Sequence, residues 1–311
     1  MRRYRGPGQI AYFIINLVKT LEISSPAKLN LFLDVLRKRP DGYHDLVTLF
    51  ERISLSDTIR LTKTAGDEIV ISASGEAIPV DSTNLAYQAA DLIKRSCSIR
   101  SGLKIEIQKN IPVGAGLAGG SSNAASVLLG SAKLFGLKLT KKRLIFYANK
   151  LGSDVAFFIF DRKFAVGYGR GGRLRSVLMP KTVKLWHLLF SPHIKVMTKD
   201  VYGLLDKEEK LKLTKKRHDV NILISYLRNK DRRFFNQHIY NRLSETVMKS
   251  YRLVSELRSD LLQSGLEHVH MSGSGPTLFT VFMSRKEAQE ALDRLSGRFR
   301  DRCRIFLAST V

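Results

Sequence analysis

The first half of the chain alternates apolar and polar residues with a period of two, and β-branched residues are frequent there. This pattern is typical of strands whose side chains point in turn towards a core and towards solvent. Four such stretches are separated by polar residues and glycine; they comprise residues 29–35, 53–61, 69–73 and 103–108. The pattern therefore predicts a sheet in this half of the chain.

Helical periodicity interrupts these strands once and dominates the later part of the chain. In residues 84–96 the apolar side chains recur every three or four positions, so one face of this helix should pack on the sheet. Further helices are predicted at 122–134, 140–151, 220–227 and 251–262, and further strands at 157–160, 164–168, 268–271, 277–282 and 304–308. Ser284, followed three residues later by Glu287, forms a capping box that marks the start of a last helix.

A glycine-rich group at residues 167–172 separates the strand-rich part from a part with longer helices. We therefore predict an α+β protein with mixed or antiparallel sheets and two domains. The predicted division is an N-terminal extension at 1–20, a first domain at 21–172 and a second domain at 173–311.

The composition favours anionic ligands and a reducing compartment. The 311 residues include 52 Lys and Arg against 28 Asp and Glu, a formal charge of +24. Such a surface attracts phosphorylated metabolites or nucleic acid. Cys97 and Cys303 are too few for a disulfide framework, and the histidines lack the spacing of a zinc site. We expect a cytoplasmic protein without a metal bound by histidine.

The apolar run at residues 10–18 is shorter than the roughly 20 residues that span a bilayer, so no membrane association is expected. The basic residues before it imitate a signal peptide, but no small-x-small cleavage site follows before Lys19. An extension that leads into the first strand is the preferred interpretation.

Residues 111–129 read IPVGAGLAGGSSNAASVLL and connect a predicted strand to a predicted helix. Free N–H groups at a helix start bind phosphate oxygens, and glycines let the main chain approach them. Gly114, Gly116 and Gly119 fit G-x-G-x-x-G, but the acidic residue of a dinucleotide site does not follow. Gly120 stands where a Walker A motif has lysine. We predict a phosphate loop of another type; a purely structural turn is the alternative.

The segment PVGAGLAGGSSNAA resembles the phosphate loop of the GHMP kinases, named for galactokinase, homoserine kinase, mevalonate kinase and phosphomevalonate kinase. Two further motifs follow the family's order, SPAKLNLFL at residues 25–33 and MSGSGPTLF at residues 271–279. Within the family, DGYH at 41–44 and LGSDV at 151–155 are similar to the kinases that act on a cytidine diphosphate alcohol in the non-mevalonate isoprenoid pathway. The resemblance implies the two-domain GHMP fold with a ferredoxin-like C-terminal domain.

The resemblance further implies ATP and Mg²⁺ as cofactors and phosphoryl transfer to the 2-hydroxyl of a methylerythritol group. Lys28 and Asp154 match the family's catalytic residues: a carboxylate can take the hydroxyl proton, and an ammonium steadies the alkoxide. The ATP-binding residues implied are Asn84, Pro112, Val113, Gly114, Ala115, Gly116, Leu117, Ala118, Gly119, Gly120, Ser121 and Ser122. Ser121 and Ser122 are also the candidates for holding magnesium.

For the cytidine end of the substrate, Asn30, Tyr43, His44, Thr198 and Tyr202 match the family's binding residues. Two tyrosine rings suit a planar base, and His44 can pair with its polar edge. The tyrosines would otherwise be half-buried packing residues. Lys28 is harder to explain by packing, because an unpaired ammonium inside an apolar strand is costly.

Several positions depart from the family's pattern. Ala115 and Ala118 replace glycines of the loop, which is compatible only with φ angles below zero there. Ala156 stands where a proline is expected, and Gly172 where an acidic residue is common.

Two alternatives remain open at this point. One is a GHMP kinase that acts on homoserine or a mevalonate-type alcohol. The other is a nucleic-acid-binding protein that uses the basic runs at 212–217 and 228–233. Because these runs lack interleaved aromatics, a solvated surface is the preferred interpretation, and no specific nucleic acid is expected. The chain is expected to be a monomer or a homodimer.

Overall fold

The computed structural model describes residues 12–15, 20–180, 182–208, 218–229 and 231–311. Most of the predicted N-terminal extension and the basic run at 212–217 lie outside the described residues. Among the helices of the described ranges, none has the length and apolar character needed to cross a membrane.

The described residues form strands and helices that we number in chain order. The strands are β1 Tyr12–Ile15, β2 Thr20–Lys38, β3 His44–Thr64, β4 Ile69–Gly75, β5 Gly102–Lys109, β6 Phe164–Gly169, β7 Arg173–Ser176, β8 Trp186–Pro192, β9 Tyr240–Asn241, β10 His270–Met271, β11 Leu278–Phe282 and β12 Cys303–Ser309. The helices are α1 Leu85–Ser96, α2 Gly119–Leu134, α3 Lys141–Leu151, α4 Ser153–Phe160, α5 Thr198–Lys207, α6 Val220–Asn229, α7 Arg232–His238, α8 Leu243–Ser250, α9 Arg252–Gln263 and α10 Arg285–Phe299.

These elements form two compact units, each assembled from separate segments of the chain. Unit 1 consists of the described residues of 1–27 together with 56–113 and 118–162. Unit 2 consists of residues 28–55, 114–117 and 163–311. The long strands β2 and β3 each have one part in unit 1 and the other part in unit 2. The predicted extension at 1–20 and the predicted domains at 21–172 and 173–311 are each continuous in sequence, unlike the two units. This division stays a prediction.

Unit 1 is a sheet covered by helices. The second part of β3 pairs antiparallel with β5, and β4 pairs parallel with β5. Apolar side chains on the sheet and on the helices are fully buried, among them Ile59, Ile105, Ala89 and Leu128. The glycine-rich segment leaves β5 and enters α2, which is the arrangement predicted from the sequence.

Unit 2 contains a four-stranded antiparallel sheet in the order β10-β11-β8-β12. Helices α5 to α9 lie between β8 and β10 in the chain, and α10 lies between β11 and β12. This strand order and alternation are those of a ferredoxin-like domain, which confirms the predicted fold. The sheet and helices bury one apolar core that includes Phe190, Leu257 and Phe299.

Several predicted elements agree with the structure, and one does not. Ser284 accepts a hydrogen bond from the Glu287 N–H at 3.2 Å, so the predicted cap of α10 is confirmed. Residues 157–160 were predicted to be a strand but belong to helix α4. Phe157, Phe158 and Ile159 are all buried, and a short, wholly apolar run carries no periodicity that separates a strand from a buried helix.

Candidate active site

Lys28 is a buried lysine in strand β2. Its side-chain Nζ donates to Asn30 Oδ1 at 2.5 Å and to the Gly116 carbonyl at 3.0 Å. Both acceptors are neutral oxygen atoms, and the two bonds hold the Lys28 ammonium in place. Lys28 is only 4% exposed, which limits the directions from which a ligand can approach it.

Asn30 is oriented by its own partners in unit 2. Its Nδ2 donates to Thr48 Oγ1 at 2.7 Å, and Thr48 in turn donates to the Phe32 carbonyl at 2.7 Å. The Thr48 hydroxyl donates its hydrogen to the Phe32 carbonyl, so it can only accept a hydrogen bond from Asn30. The amide nitrogen of Asn30 must therefore face Thr48, and its oxygen faces Lys28. The role of Asn30 visible in this arrangement is to hold Lys28; its predicted contact with the substrate stays a prediction.

The first part of the glycine loop lies against the turn that follows β10. Ser272 Oγ donates to the Gly116 carbonyl at 3.0 Å, and the Thr277 N–H donates to the Ala115 carbonyl at 3.4 Å. Gly116 has φ +74°, and a Cβ built on it would lie 2.2 Å from the Ser272 carbonyl oxygen. Only glycine fits this contact, which brings the loop close to the turn.

Three motifs that are far apart in the sequence therefore meet around Lys28. A Cβ built on Gly273, in the turn after β10, would lie 3.1 Å from Asn30 Oδ1, 3.1 Å from the Gly116 oxygen and 3.3 Å from Lys28 Nζ. Asn241 holds the same turn by donating to the Met271 and Gly273 carbonyls, both at 2.8 Å. Gly273 thus lies close to the Asn30 side-chain oxygen, the Gly116 carbonyl oxygen and Lys28 Nζ at the same time.

Ala118 adopts the left-handed conformation, with φ 55° and ψ 33°, at the N-cap of α2. The expectation that both loop alanines keep φ below zero is therefore wrong for Ala118. Among the described non-glycine residues, the other positive φ angles belong to Ser98 and Asp161, so Ala115 meets the expectation. A left-handed alanine is strained by roughly 1 kcal/mol, because its Cβ approaches the next carbonyl.

We expect Ala118→Gly to raise the free energy of unfolding by roughly 0.5 kcal/mol, since relief of the strain outweighs the added freedom of the unfolded chain. Ala115→Gly is the matched control. Ala115 is buried and has a negative φ, so this variant should lose about 1 kcal/mol. Urea unfolding of the two variants measures both changes, and equal changes of the same sign would contradict the assignment of strain.

The start of helix α2 is in unit 1 and carries the two predicted serine ligands. Ser122 is fully buried, and its Oγ lies 2.8 Å from Ser25 Oγ. Ser121 is half-buried and Gly120 is exposed. Of the two serines, Ser121 has the more accessible hydroxyl for a phosphate or a metal ion.

Beneath this helix start lies a buried ion pair. Lys109 Nζ donates to Asp57 Oδ2 at 2.6 Å, and Asn123 Nδ2 donates to the same oxygen at 2.9 Å. Asp57 Oδ1 accepts from the N–H groups of Asn110 and Ile111 at 2.7 and 2.8 Å. Burial lowers the pKa of Lys109, and the Asp57 carboxylate opposes this effect. Asp57 thus anchors the segment that enters the glycine loop.

Asp154 lies in the first turn of helix α4. It is half-buried. Asp154 belongs to unit 1 and Lys28 to unit 2, and their joint catalytic role stays a prediction. Asn84 caps α1 by accepting from the Ala86 N–H at 2.8 Å, so its predicted contact with adenine remains untested.

The predicted cytidine-binding residues all lie in unit 2. Tyr202 stacks on His44 with ring centroids 4.8 Å apart. Tyr43 is 53% exposed, and the Arg170 guanidinium lies 3.4 Å above the centre of its ring. Thr198 Oγ1 lies 2.8 Å from Ser274 Oγ, which ties the start of α5 to the turn beside Lys28.

Comparison with known proteins identifies the family. Models described as the N-terminal domain and the C-terminal part of GHMP kinases match residues 84–162 and 223–301. The chain is 38% identical over 278 residues to the 4-diphosphocytidyl-2-C-methyl-D-erythritol kinase of Exiguobacterium sibiricum, with 89% of this chain and 94% of that relative covered. The chain belongs to this group of GHMP kinases.

Solved structures agree with this assignment. A crystal structure of 4-(cytidine 5'-diphospho)-2C-methyl-D-erythritol kinase covers 93% of this GHMP kinase at 32% identity, with 98% of that chain covered and a TM-score of 0.76. Homoserine kinase from Cytophaga hutchinsonii covers 96% at 17% identity, with 96% of that chain covered and a TM-score of 0.69, and shows the common fold. The predicted family and fold class are therefore confirmed.

Sequence reasoning missed several residues that shape the site of this GHMP kinase. Asp57 and Lys109 stand on the buried side of the alternation in β3 and β5, in phase with Ile59 and Ile107, so a charged residue at a position expected to be apolar was the signal that could have found them. Asn241 carries no such signal, because its contacts are with backbone carbonyls distant in sequence.

Proposed function

We propose that this GHMP kinase uses ATP to phosphorylate the 2-hydroxyl of 4-diphosphocytidyl-2-C-methyl-D-erythritol in the non-mevalonate isoprenoid pathway. The observation that carries the proposal is the identity of 38% to a kinase named for this substrate, over nearly its whole length. The convergence of the three family motifs around Lys28 supports it, since a kinase needs a fixed positive charge beside its phosphate loop.

In the proposed reaction Asp154 accepts the proton of the substrate hydroxyl. An alcohol is a weak nucleophile, and a carboxylate within hydrogen-bond reach activates it by taking its proton. The hydroxyl oxygen then bonds to the γ-phosphorus of ATP, the bond from this phosphorus to the β,γ-bridging oxygen breaks, and ADP leaves. Lys28, held by Asn30 and the Gly116 carbonyl, stabilises the developing negative charge. The N–H groups at the start of α2 receive the phosphate oxygens of ATP.

Magnesium is part of the proposal through the phosphates of ATP. No group of three or more His, Cys, Asp or Glu side chains within the described ranges is arranged to hold a metal ion. The half-buried Ser121 hydroxyl at the helix start fits an ion that is otherwise held by phosphate oxygens. When bound, magnesium would neutralise charge on the transferred phosphoryl group.

A coupled assay of ADP release tests the proposal. The purified enzyme is given ATP, magnesium and one of three alcohols: the cytidine diphosphate alcohol, homoserine or mevalonate. We expect turnover with the first and background rates with the other two. Turnover with homoserine or mevalonate alone would replace the proposed substrate and leave the family unchanged.

Tyr202 is proposed to stack on the cytosine, together with Tyr43. Stacking of a base on an aromatic ring contributes roughly 1 to 3 kcal/mol, so Tyr202→Ala should raise the KM for the cytidine substrate by about 5- to 150-fold. The KM for ATP should stay nearly constant. Tyr202→Phe keeps the ring and serves as the control, with a KM close to that of the unmodified enzyme. An unaltered KM in Tyr202→Ala would remove Tyr202 from the base site.

A further inference from the structure

Helix α5 holds the imidazole ring of His44 from two directions. Tyr202 and Asp206 are four residues apart, so they lie on one face of the helix. Tyr202 covers the face of the ring, and Asp206 Oδ1 lies 2.8 Å from its Nε2 atom. The His44 side chain is only 4% exposed. Its orientation is therefore determined by this helix.

Asp206 is itself held in an ionised state by a second contact. Lys38 Nζ donates to Asp206 Oδ2 at 2.7 Å, so each carboxylate oxygen has one partner. Partial burial would raise the pKa of Asp206, but the hydrogen bonds from Lys38 and His44 outweigh this effect and hold the pKa below its usual value. An ionised carboxylate accepts hydrogen bonds and donates none.

This contact determines where the proton of a neutral His44 ring resides. Because Asp206 can only accept, Nε2 must carry the hydrogen, and Nδ1 is then an acceptor. Cytosine and uracil differ at the atom that such an acceptor would meet. Cytosine presents an amino donor at position 4, whereas uracil presents a carbonyl oxygen, as thymine does. The tautomer with the hydrogen on Nε2 matches cytosine and rejects uracil.

We propose that Asp206 is a positioning residue that fixes the tautomer of His44 and thereby makes the enzyme select cytosine over uracil in the nucleotide part of its substrate. This inference rests on the proposed function, because it takes His44 as the residue that reads the base. Helix α5 then contributes to recognition of the base in two ways: Tyr202 stacks on the base, and Asp206 makes the site selective for cytosine.

A merely structural ion pair would behave differently. The Lys38 side chain is 53% exposed, and ion pairs at such positions contribute little to stability. Loss of the Asp206 charge should thus leave the fold intact and appear in the choice of base. Selectivity for the base is a property that a surface salt bridge alone does not affect.

The first test compares two substrates that differ only in the base, the cytidine diphosphate alcohol and its uridine counterpart. In Asp206→Asn the amide can donate to Nε2, which moves the ring hydrogen to Nδ1. We expect kcat/KM for the cytidine substrate to fall by about 10-fold or more while that for the uridine substrate stays constant or rises. The effect should reside in KM, with kcat and the KM for ATP within about twofold.

Asp45→Asn is the matched control for this test. Asp45 lies next to His44 in the chain, and its carboxylate is paired with Arg37 and Arg39. The substitution therefore removes a comparable negative charge but leaves the hydrogen bond between Asp206 and His44 in place. Its ratio of cytidine to uridine kcat/KM should equal that of the unmodified enzyme. An unchanged ratio in a folded Asp206→Asn enzyme would overturn the proposal.

The second test reads the tautomer directly and does not depend on turnover. Nitrogen chemical shifts of the His44 ring in ¹⁵N-labelled enzyme should show hydrogen on Nε2, and the pattern should change in Asp206→Asn. Hydrogen on Nδ1 in the unmodified enzyme would refute the inference even if Asp206→Asn fails to fold.

The affinities of the same samples for CDP and for UDP separate the proposed role of Asp206 from the proposed substrate. If the enzyme phosphorylates a different alcohol but still prefers CDP with the Nε2 tautomer, the proposed substrate fails and the role of Asp206 stands.

Discussion

Asp154→Asn is expected to lower kcat by about 100-fold or more while the KM for ATP changes little. The amide keeps the shape of the carboxylate but cannot accept the proton of the substrate hydroxyl, and general-base catalysis contributes about 10²- to 10⁴-fold. The measurement is ADP release at saturating ATP with the cytidine diphosphate alcohol. The loss should appear in kcat, since the missing interaction is made in the transition state.

Asp161→Asn is the matched control for this variant. Asp161 follows the same helix, α4, and adopts a left-handed conformation at its C-cap that asparagine also tolerates. Its turnover should remain close to that of the unmodified enzyme. Near-normal turnover in Asp154→Asn, with the control unaffected, would remove Asp154 from the mechanism.

Lys28→Met should also reduce kcat by about 100-fold or more, because the methionine keeps the apolar stem and removes the charge that stabilises the transferred phosphoryl group. The fold should survive. The Gly116 carbonyl still accepts from Ser272, but Asn30 loses its donor, so the variant should lose about 1 to 3 kcal/mol of stability. ADP release and thermal unfolding together measure these two effects.

A second buried lysine provides the comparison. Lys109 pairs with Asp57, and removing one partner of a buried pair costs about 3 to 5 kcal/mol. Lys109→Met should therefore be less stable than Lys28→Met. A Lys28→Met enzyme that is folded and fully active would show that Lys28 only packs, and one that is unfolded would show that its main role is structural.

The candidate site could be predicted in part because some chemistry requires a continuous segment. A phosphate loop needs flexible backbone followed at once by a helix start, and both occur within residues 112–122. Lys28 was singled out by the resemblance to the GHMP kinases, and the cost of an unpaired ammonium inside an apolar strand supported that choice. The capping box at Ser284 is local for the same reason, since its two partners are three residues apart.

Predictions that depended on the environment were less successful. The run at 157–160 was taken for a strand, because an apolar segment buried on all sides has no polar face to reveal its period. Ala118 takes a left-handed conformation that its residue type disfavours, and the surrounding structure maintains it. In both cases the decisive interactions come from residues outside the segment.

The sequence by itself determined the α+β fold class and the position of the glycine-rich loop before a helix, because these follow from local patterns of polarity and from residue types. The resemblance to the GHMP kinases supplied the site residues, whose roles stay predictions. Only the tertiary structure decided which atoms meet: that Asn30 and the Gly116 carbonyl hold Lys28, that Asp57 anchors the loop, and that Asp206 contacts His44. These partners are separated by up to 162 positions in the chain. Hydrogen bonds depend on distances of a few ångströms, and residues so distant in sequence acquire such distances only when the sheets and helices pack.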